Sequence, residues 1–207
     1  MRGTVLSAAF LLASGLSLAL AAELHAAGSA GPAAMVVIVP GTEDTASGAL
    51  HALETWHLGG IGGNWLAVGQ PNTLNRDDRA VFRFDIGLHL NAGRIAKATL
   101  RLAVTPQTRG ESFRLDHYSG ERFVLSAKDL GSAQVEEVAR FEVRKGAAGD
   151  LPLSFDVTAA VNRDLGNGFG FSAFRLKSEF AEVSGNPDNT PSLISIANGT
   201  LALEIAP

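Results

Sequence analysis

The chain of 207 residues contains no cysteine, only two tryptophans and a single tyrosine. Without thiols there are no disulfide bonds and no thiolate chemistry, so packing must stabilise the fold. Basic residues are also in the minority, with 17 Lys and Arg against 21 Asp and Glu and a formal net charge of -4. This balance argues against a nucleic acid partner, because proteins that bind phosphate backbones carry a basic surface.

Catalytic and metal-binding motifs are missing as well. Neither HExxH nor GxSxG occurs, and the five histidines are dispersed. His51 and His57 have an even separation and could share one face of a strand, but a zinc site needs three or four converging ligands. We interpret the histidines as scattered surface residues and predict a protein without catalytic residues.

The one long apolar run lies at the N-terminus. Arg2 precedes an uncharged segment over residues 5–20, which small residues follow up to Ala22. This pattern predicts a signal peptide over residues 1–22, cleaved after Ala21 or Ala22, and the run is shorter than the ~20 apolar residues of a membrane-spanning helix. The expected location is therefore secreted or periplasmic, with no membrane span after cleavage. Residues 23–34 are small and contain Gly and Pro, which is typical of a flexible lead-in.

Residues 35–207 show the pattern of a single all-β domain. Short apolar segments alternate with clusters of Gly, Pro and Asn, which indicates antiparallel strands packed as a sandwich. Over residues 97–105 every second residue is apolar, as in a half-buried strand, and residues 81–86 and 201–205 follow the same rule. Residues 169–176 are apolar on both faces and predict a central strand.

Two segments could be helical. Residues 132–144 favour a strand over a helix, because polar and apolar residues alternate for much of the segment. Residues 157–165 predict one short helix, with Asp156 or Thr158 at its start and Gly166 at its end.

Six short segments in a fixed order carry a resemblance to a known family. They are ETW at 54–56, WLAVG at 65–69, RAVFRFDI at 79–86, AKATLRL at 96–102, LSFDVTAAV at 153–161 and GFGF at 168–171. Together they resemble the DNRLRE-type domain, also grouped as carbohydrate-binding module family 96, over roughly residues 49–205. The resemblance implies a jelly-roll-like β-sandwich of secreted bacterial proteins, often attached to polysaccharide-degrading enzymes or to surface proteins.

Asp85 and Asp156 lie within two of these segments. Two carboxylates that faced each other across about 5 to 9 Å could perform acid-base catalysis on a glycosidic bond. We favour an architectural role, in which each caps a turn or pairs with an arginine. Arg79 or Arg83 is the expected partner of Asp85, and the Thr158 amide is that of Asp156.

The few aromatic residues are the candidates for ligand binding, since sugar C–H faces stack on flat rings. The candidates are Trp65, Tyr118 and Trp56, with Asn64 in the glycine-rich loop before Trp65. Tyr118 is expected to be the exposed ring. Core packing is favoured for Trp56 and Trp65, because they match strand positions of the family.

A structural calcium ion is an alternative that the oxygen-rich loops leave open. The candidate ligands are Glu43, Asp44, Asp77, Asp78, Asp188 and Asn189. Calcium requires 6 to 8 oxygens, and none of these loops supplies them alone. We interpret these side chains as solvated turn carboxylates, and no other cofactor is predicted.

The sequence thus predicts an exported, non-catalytic protein that binds a polysaccharide or a cell-surface glycan. One alternative is a structural or adhesive surface protein that binds no sugar. Another is a small secreted hydrolase or lyase that uses carboxylates such as Asp85 and Asp156.

Overall fold

A computed structural model describes residues 34–51, 57–61, 65–70, 76–89, 93–107, 110–119, 125–131, 135–179 and 192–206. All of them belong to one compact unit, Ala34–Pro207. The predicted signal peptide lies outside the described residues. No helix in the described part of the chain is long and apolar enough to cross a membrane.

The described residues form antiparallel strands and two short helices. They are β1 (Val36–Ile38), β2 (Thr45–His51), β3 (His57–Ile61), β4 (Trp65–Gln70), β5 (Arg76–Asp85), β6 (Lys97–Gln107), β7 (Glu111–Ser119), α1 (Ala127–Leu130), β8 (Val135–Val143), β9 (Leu151–Asp156), α2 (Thr158–Gly166), β10 (Phe171–Ser178), β11 (Ser192–Ala197) and β12 (Ala202–Ala206), with 3-10 turns at Thr42–Asp44, Gly87–His89 and Asn198–Thr200. The predicted antiparallel, jelly-roll-like β-sandwich is confirmed, and so are the strand within 132–144 and the helix near 157–165. The one-turn helix α1 was not predicted.

The strands form one curled sheet that folds back on itself into two layers. In the first layer the strand order is β3-β2-β5-β10-β7-β8. The second layer contains β4, β11, β6, β12 and β1, and β9 pairs with the other edge of β6. Strand β10 lies between β5 and β7, which confirms the predicted central strand.

Large apolar side chains from both layers form the core. The rings of Phe82, Phe84 and Phe174 meet at centroid distances of 6.2 Å. At one edge Phe141 lies 5.5 Å from Phe113 and 5.7 Å from Phe155, so a row of rings joins β7, β8 and β9. Such aromatic contacts add to the free energy of burial that the alternating strands supply.

Helix α2 packs against β6. The Thr158 hydroxyl oxygen accepts a hydrogen bond from the Ala98 amide at 2.9 Å. The Asn162 side chain accepts from the Ile95 amide at 2.9 Å and donates to the Ile95 carbonyl at 3.0 Å. Because these side chains satisfy backbone groups at the start of β6, the helix is held in a defined orientation.

The outer face of the first layer is partly covered by the segment 125–131. Leu125 and Leu130 from this segment pack with side chains of β2, β5, β7 and β10 in a second apolar cluster that contains Ala46, Val81, Tyr118 and Ala173. Strand β5 is therefore buried on both faces over Ala80 to Phe84, and Arg83 is only 4% exposed. The prediction that residues 81–86 have one solvated face is wrong.

Gly69 lies where the sheet turns from one layer to the other. Among the described residues, β4 and β5 are joined by one residue pair, Gly69 with Asp78. Gly69 has φ +117°, and a Cβ atom there would lie 2.2 Å from the Ser192 carbonyl oxygen. Only glycine combines this backbone conformation with so close an approach between strands.

We expect Gly69→Ala to lower the free energy of unfolding by more than about 3 kcal/mol, because backbone strain of about 1–3 kcal/mol adds to a clash with the backbone of β11. Urea unfolding at neutral pH measures the change. Gly146→Ala is the matched control, since Gly146 has φ +77° with nothing within 4 Å of an added Cβ. Equal losses in the two variants would contradict the close approach.

Candidate functional site

The exposed surface of β4 carries the described ring that is best placed to meet a ligand. Leu66 and Val68 point into the core, so Trp65 and Ala67 point outward from the second layer. Trp65 is 57% exposed. The interpretation of Trp65 as a core residue is therefore wrong, and its indole is available to a ligand.

The strand register surrounds this indole with small, uncharged side chains. Trp65 lies opposite Ala197 of β11, and Ala103 of β6 lies opposite Pro152 of β9. The pairing of β11 with β6 ends at Ile196 and Val104. Beyond it the Thr200 hydroxyl links Ala103 to Ala197, because it accepts from the Ala103 amide at 3.1 Å and donates to the Ala197 carbonyl at 2.8 Å.

A second, more polar row runs beside the first. Ala67 lies opposite Ser195, and Ser195 lies opposite Thr105. The Thr105 hydroxyl donates to the Asp150 carboxylate at 2.6 Å. We call the two rows the Trp65 face, which consists of Trp65, Ala67, Ala103, Thr105, Pro152, Ser195 and Ala197.

The members of the Trp65 face carry no charge, and none of them is fully buried. Charged groups lie beside the face: the Asp150 carboxylate, which binds Thr105, and the ion pair of Arg101 with Glu204 at 2.8 Å on the same surface of β6 and β12. The face therefore offers an exposed indole among small, uncharged side chains.

The other predicted ligand residues are not on this face in the described structure. Tyr118 is only 5% exposed and packs in the second apolar cluster. Its prediction as an exposed ring is wrong, because the segment 125–131 covers it. Trp56 and Asn64 lie outside the described residues.

The two strand-end aspartates bind backbone amides. Asp85 accepts a hydrogen bond from the Gly87 amide at 2.8 Å. Asp156 accepts from the Thr158 amide at 3.0 Å and from the Thr158 hydroxyl at 2.6 Å. The Thr158 hydroxyl, followed by its amide, lowers the pKa of Asp156. The predicted contact of Asp156 with the Thr158 amide is confirmed, and Asp85 also caps a turn.

The arginines expected beside Asp85 pair elsewhere. Arg83 binds Asp44 at 2.6 Å, and Arg79 binds Asp77 at 3.0 Å. The prediction of an arginine partner for Asp85 is therefore wrong.

The same pairs bear on the predicted calcium ligands. Asp78 is bound by Arg76 at 2.7 Å, so Asp44, Asp77 and Asp78 each have a guanidinium partner. Among the described residues no group of three or more acidic or histidine side chains could hold a metal ion. Asp188 and Asn189 lie outside the described residues, and Glu43 is exposed.

His117 is a buried residue that the sequence interpretation missed. Its Nε2 atom lies 2.8 Å from the Asp164 carboxylate, and its ring lies 5.5 Å from Phe174. This pair joins β7 to α2 inside the core, so the description of the histidines as surface residues is wrong for His117. The signal was present, because His117 continues the alternation of Phe113 and Leu115. His51 and His57 lie on the separate strands β2 and β3.

A groove lies beside α2. Three of the polar side chains that line it are already engaged by the fold: Asp156 binds Thr158, Asn162 binds the backbone at the start of β6, and Arg163 pairs with Glu136 of β8. Arg94, which also lines it, is exposed. The groove therefore offers few polar groups to a ligand, and the Trp65 face remains the better candidate.

Comparison with known proteins gives little further information. No family model matches the chain, and no curated protein matches it. Among solved structures, the chain is similar to the CBM22-1 and GH10 modules of endo-1,4-beta-D-xylanase 10B from Clostridium thermocellum, complexed with xylohexaose, with a TM-score of 0.35 and 11% identity. The match covers 83% of this chain and 28% of that one. So distant a likeness carries no argument about function.

We expect Asp156→Ala to lower the free energy of unfolding by about 1 kcal/mol at neutral pH, because the first turn of α2 loses its acceptor. Folding lowers the pKa of this carboxyl group. Its contribution is therefore present above the unfolded-state pKa of about 3.9 and is lost as the pH falls through the folded-state pKa. Urea unfolding of wild type and Asp156→Ala at a series of pH values from 7 down to about 2 measures this loss. The free energies of unfolding of the two proteins should become equal as the pH falls.

Ser154→Ala is the control, since Ser154 is exposed on the same strand. A difference between wild type and Asp156→Ala that stays constant into acid would contradict the role of the ionised carboxylate.

Proposed function

We propose that this protein binds a neutral polysaccharide on the Trp65 face and performs no chemistry on it. The observation that carries the proposal is a tryptophan 57% exposed on a strand of the second layer. A single exposed apolar side chain is common on protein surfaces. Here the neighbours across β11 and on β4 are small and uncharged, which leaves room for a sugar ring to stack on the indole.

The two rows of the face supply complementary interactions. The C–H face of a sugar stacks on the indole, and its hydroxyl groups meet the hydroxyls of Ser195 and Thr105 at the neighbouring row. The Asp150 carboxylate, which binds Thr105, adds an acceptor at the end of that row. Affinity is modest, because one ring on a shallow surface buries little area.

An open sheet face also favours one physical form of the ligand. A groove encloses a single chain or its end, whereas an open face can contact chains that lie side by side on a solid surface. We infer that insoluble neutral polysaccharides bind better than short soluble oligosaccharides.

Sequence features support the same proposal. The six segments that resemble the DNRLRE-type family imply a glycan-binding module, and the predicted export would bring the protein to the compartment where such polymers occur. A binding role without catalysis agrees with the positions of Asp85 and Asp156, because each carboxylate accepts a hydrogen bond from a backbone amide.

We expect Trp65→Ala to weaken binding to an insoluble neutral polysaccharide at least about tenfold, since a central aromatic contact is typically worth 2 kcal/mol or more. The measurement is depletion of the protein from solution by cellulose, xylan and chitin. Trp65→Phe should retain intermediate binding, because a smaller ring still stacks. The melting temperature should not change, since the side chain lies outside the core.

Leu88→Ala serves as the matched control, because Leu88 is an exposed apolar residue at 94% exposure in the turn after β5. The proposal fails if wild type is retained on no neutral polysaccharide, or if Trp65→Ala is retained equally well.

A further inference from the structure

Four basic side chains form a row across the outer face of the first layer, on the side of the sandwich away from the Trp65 face. Lys177 of β10 lies opposite Arg114 of β7, and Arg114 lies opposite Arg140 of β8. The pairing of Leu176 with Ala80 places Arg79 of β5 next to Lys177 on its other side. We call Arg79, Lys177, Arg114 and Arg140 the cation row.

Such a row works against the stability of the sheet. Like charges directly opposite each other on antiparallel strands repel, whereas opposite charges at these positions attract. An acidic residue at position 177 would relieve the repulsion. The repulsion across the row therefore has to be offset by acidic partners or by a bound anion.

Each arginine of the row has an acidic partner on the same face. The pairs are Arg79 with Asp77 at 3.0 Å, Arg114 with Asp116 at 2.6 Å and Arg140 with Glu137 at 2.7 Å. Glu179 is a further partner of Arg140. These three charges are therefore compensated within the protein.

Lys177 differs from its neighbours. It is half-buried, and within the described part of the chain it forms no ion pair. Burial, and then Arg114 and Arg79, lower the pKa of its ammonium group, while Arg175 adds to this effect and Asp116 opposes it. Asp116 is itself shared between Arg114 and Arg175, the latter at 2.8 Å. Asp77, Asp116 and Glu137 also interact with the charge of Lys177, but each of these carboxylates is already bound by an arginine and none forms an ion pair with the lysine.

We propose that Lys177, between Arg79 and Arg114, binds an oxyanion of an external ligand, a carboxylate or a sulfate ester carried on a glycan. The ammonium group offers three donors to a compact anion, and the flanking guanidinium groups strengthen the local positive potential. A carboxylate and a sulfate ester share the chemistry that this position requires. This site is separate from the Trp65 face and does not depend on it.

The test is affinity electrophoresis of the mature protein at low ionic strength in gels that contain polygalacturonate or dextran sulfate. Highly methyl-esterified pectin and plain dextran are the matched neutral polymers. Because the chain has a net charge of -4, retardation by a polyanion must come from a local site and not from overall charge. Wild type should be retarded by at least one polyanion, less so as salt is added, and by neither neutral control.

The variants are Lys177→Gln and Lys177→Glu, with Lys145→Gln as the control at an exposed lysine outside the row. Loss of a charge-assisted hydrogen bond should weaken binding about tenfold or more in Lys177→Gln. Lys177→Glu should abolish binding while its melting temperature stays equal to or above that of wild type, because glutamate would pair with Arg79 and Arg114. Lys145→Gln should behave as wild type.

Retardation by polygalacturonate alone identifies a carboxylate ligand, and retardation by dextran sulfate alone identifies a sulfate ester. The proposal is overturned if neither polyanion retards wild type more than its neutral control, or if Lys177→Gln is retarded equally. It is also overturned if Lys177→Gln lowers the melting temperature by several degrees, since Lys177 would then be structural. Trp65→Ala should keep polyanion binding, so this proposal and the neutral-glycan proposal can fail independently.

Discussion

Burial of charge on the outer face of the first layer is the constraint on which the arrangement of this protein depends. Arg175 is buried on β10, where its guanidinium group binds Asp116 at 2.8 Å and the Leu130 carbonyl at 3.1 Å. Arg79 donates to the same carbonyl at 3.0 Å. A buried charge without partners would destabilise the fold by several kcal/mol, so the segment that contains Leu130 must lie over this face.

That covering segment makes the two outer faces of the sandwich different. On the first layer it buries Tyr118, and the cation row runs past its edge, where Arg79 still contacts the Leu130 carbonyl. The second layer has small side chains outward, and its exposed indole at Trp65 has no comparable cover. A neutral ligand and an anionic ligand would therefore meet opposite faces, and each face can be altered without changing the core between them.

The charged residues that stabilise the fold differ in their surroundings from the lysine that we propose to bind a ligand. Where a charge serves the fold, as in the pair of Arg83 with Asp44, both partners are buried and lie 2.6 Å apart. Lys177 is half-buried between Arg79 and Arg114 and forms no ion pair within the described part of the chain. Such sites are expected where binding is maintained at some expense of stability.

Alternation of residue types was sufficient to predict β6, β12 and the strand within 132–144, because the face that a residue occupies in a strand follows from its parity. Turn chemistry was sufficient for Asp156 and α2, because the carboxylate and the amide that it binds are two residues apart. Exposure of Trp65 and burial of Tyr118 and Arg83 were decided only by the tertiary structure. Each depends on whether a distant segment, such as 125–131 or α2, lies over the strand, and local periodicity contains no information about that contact.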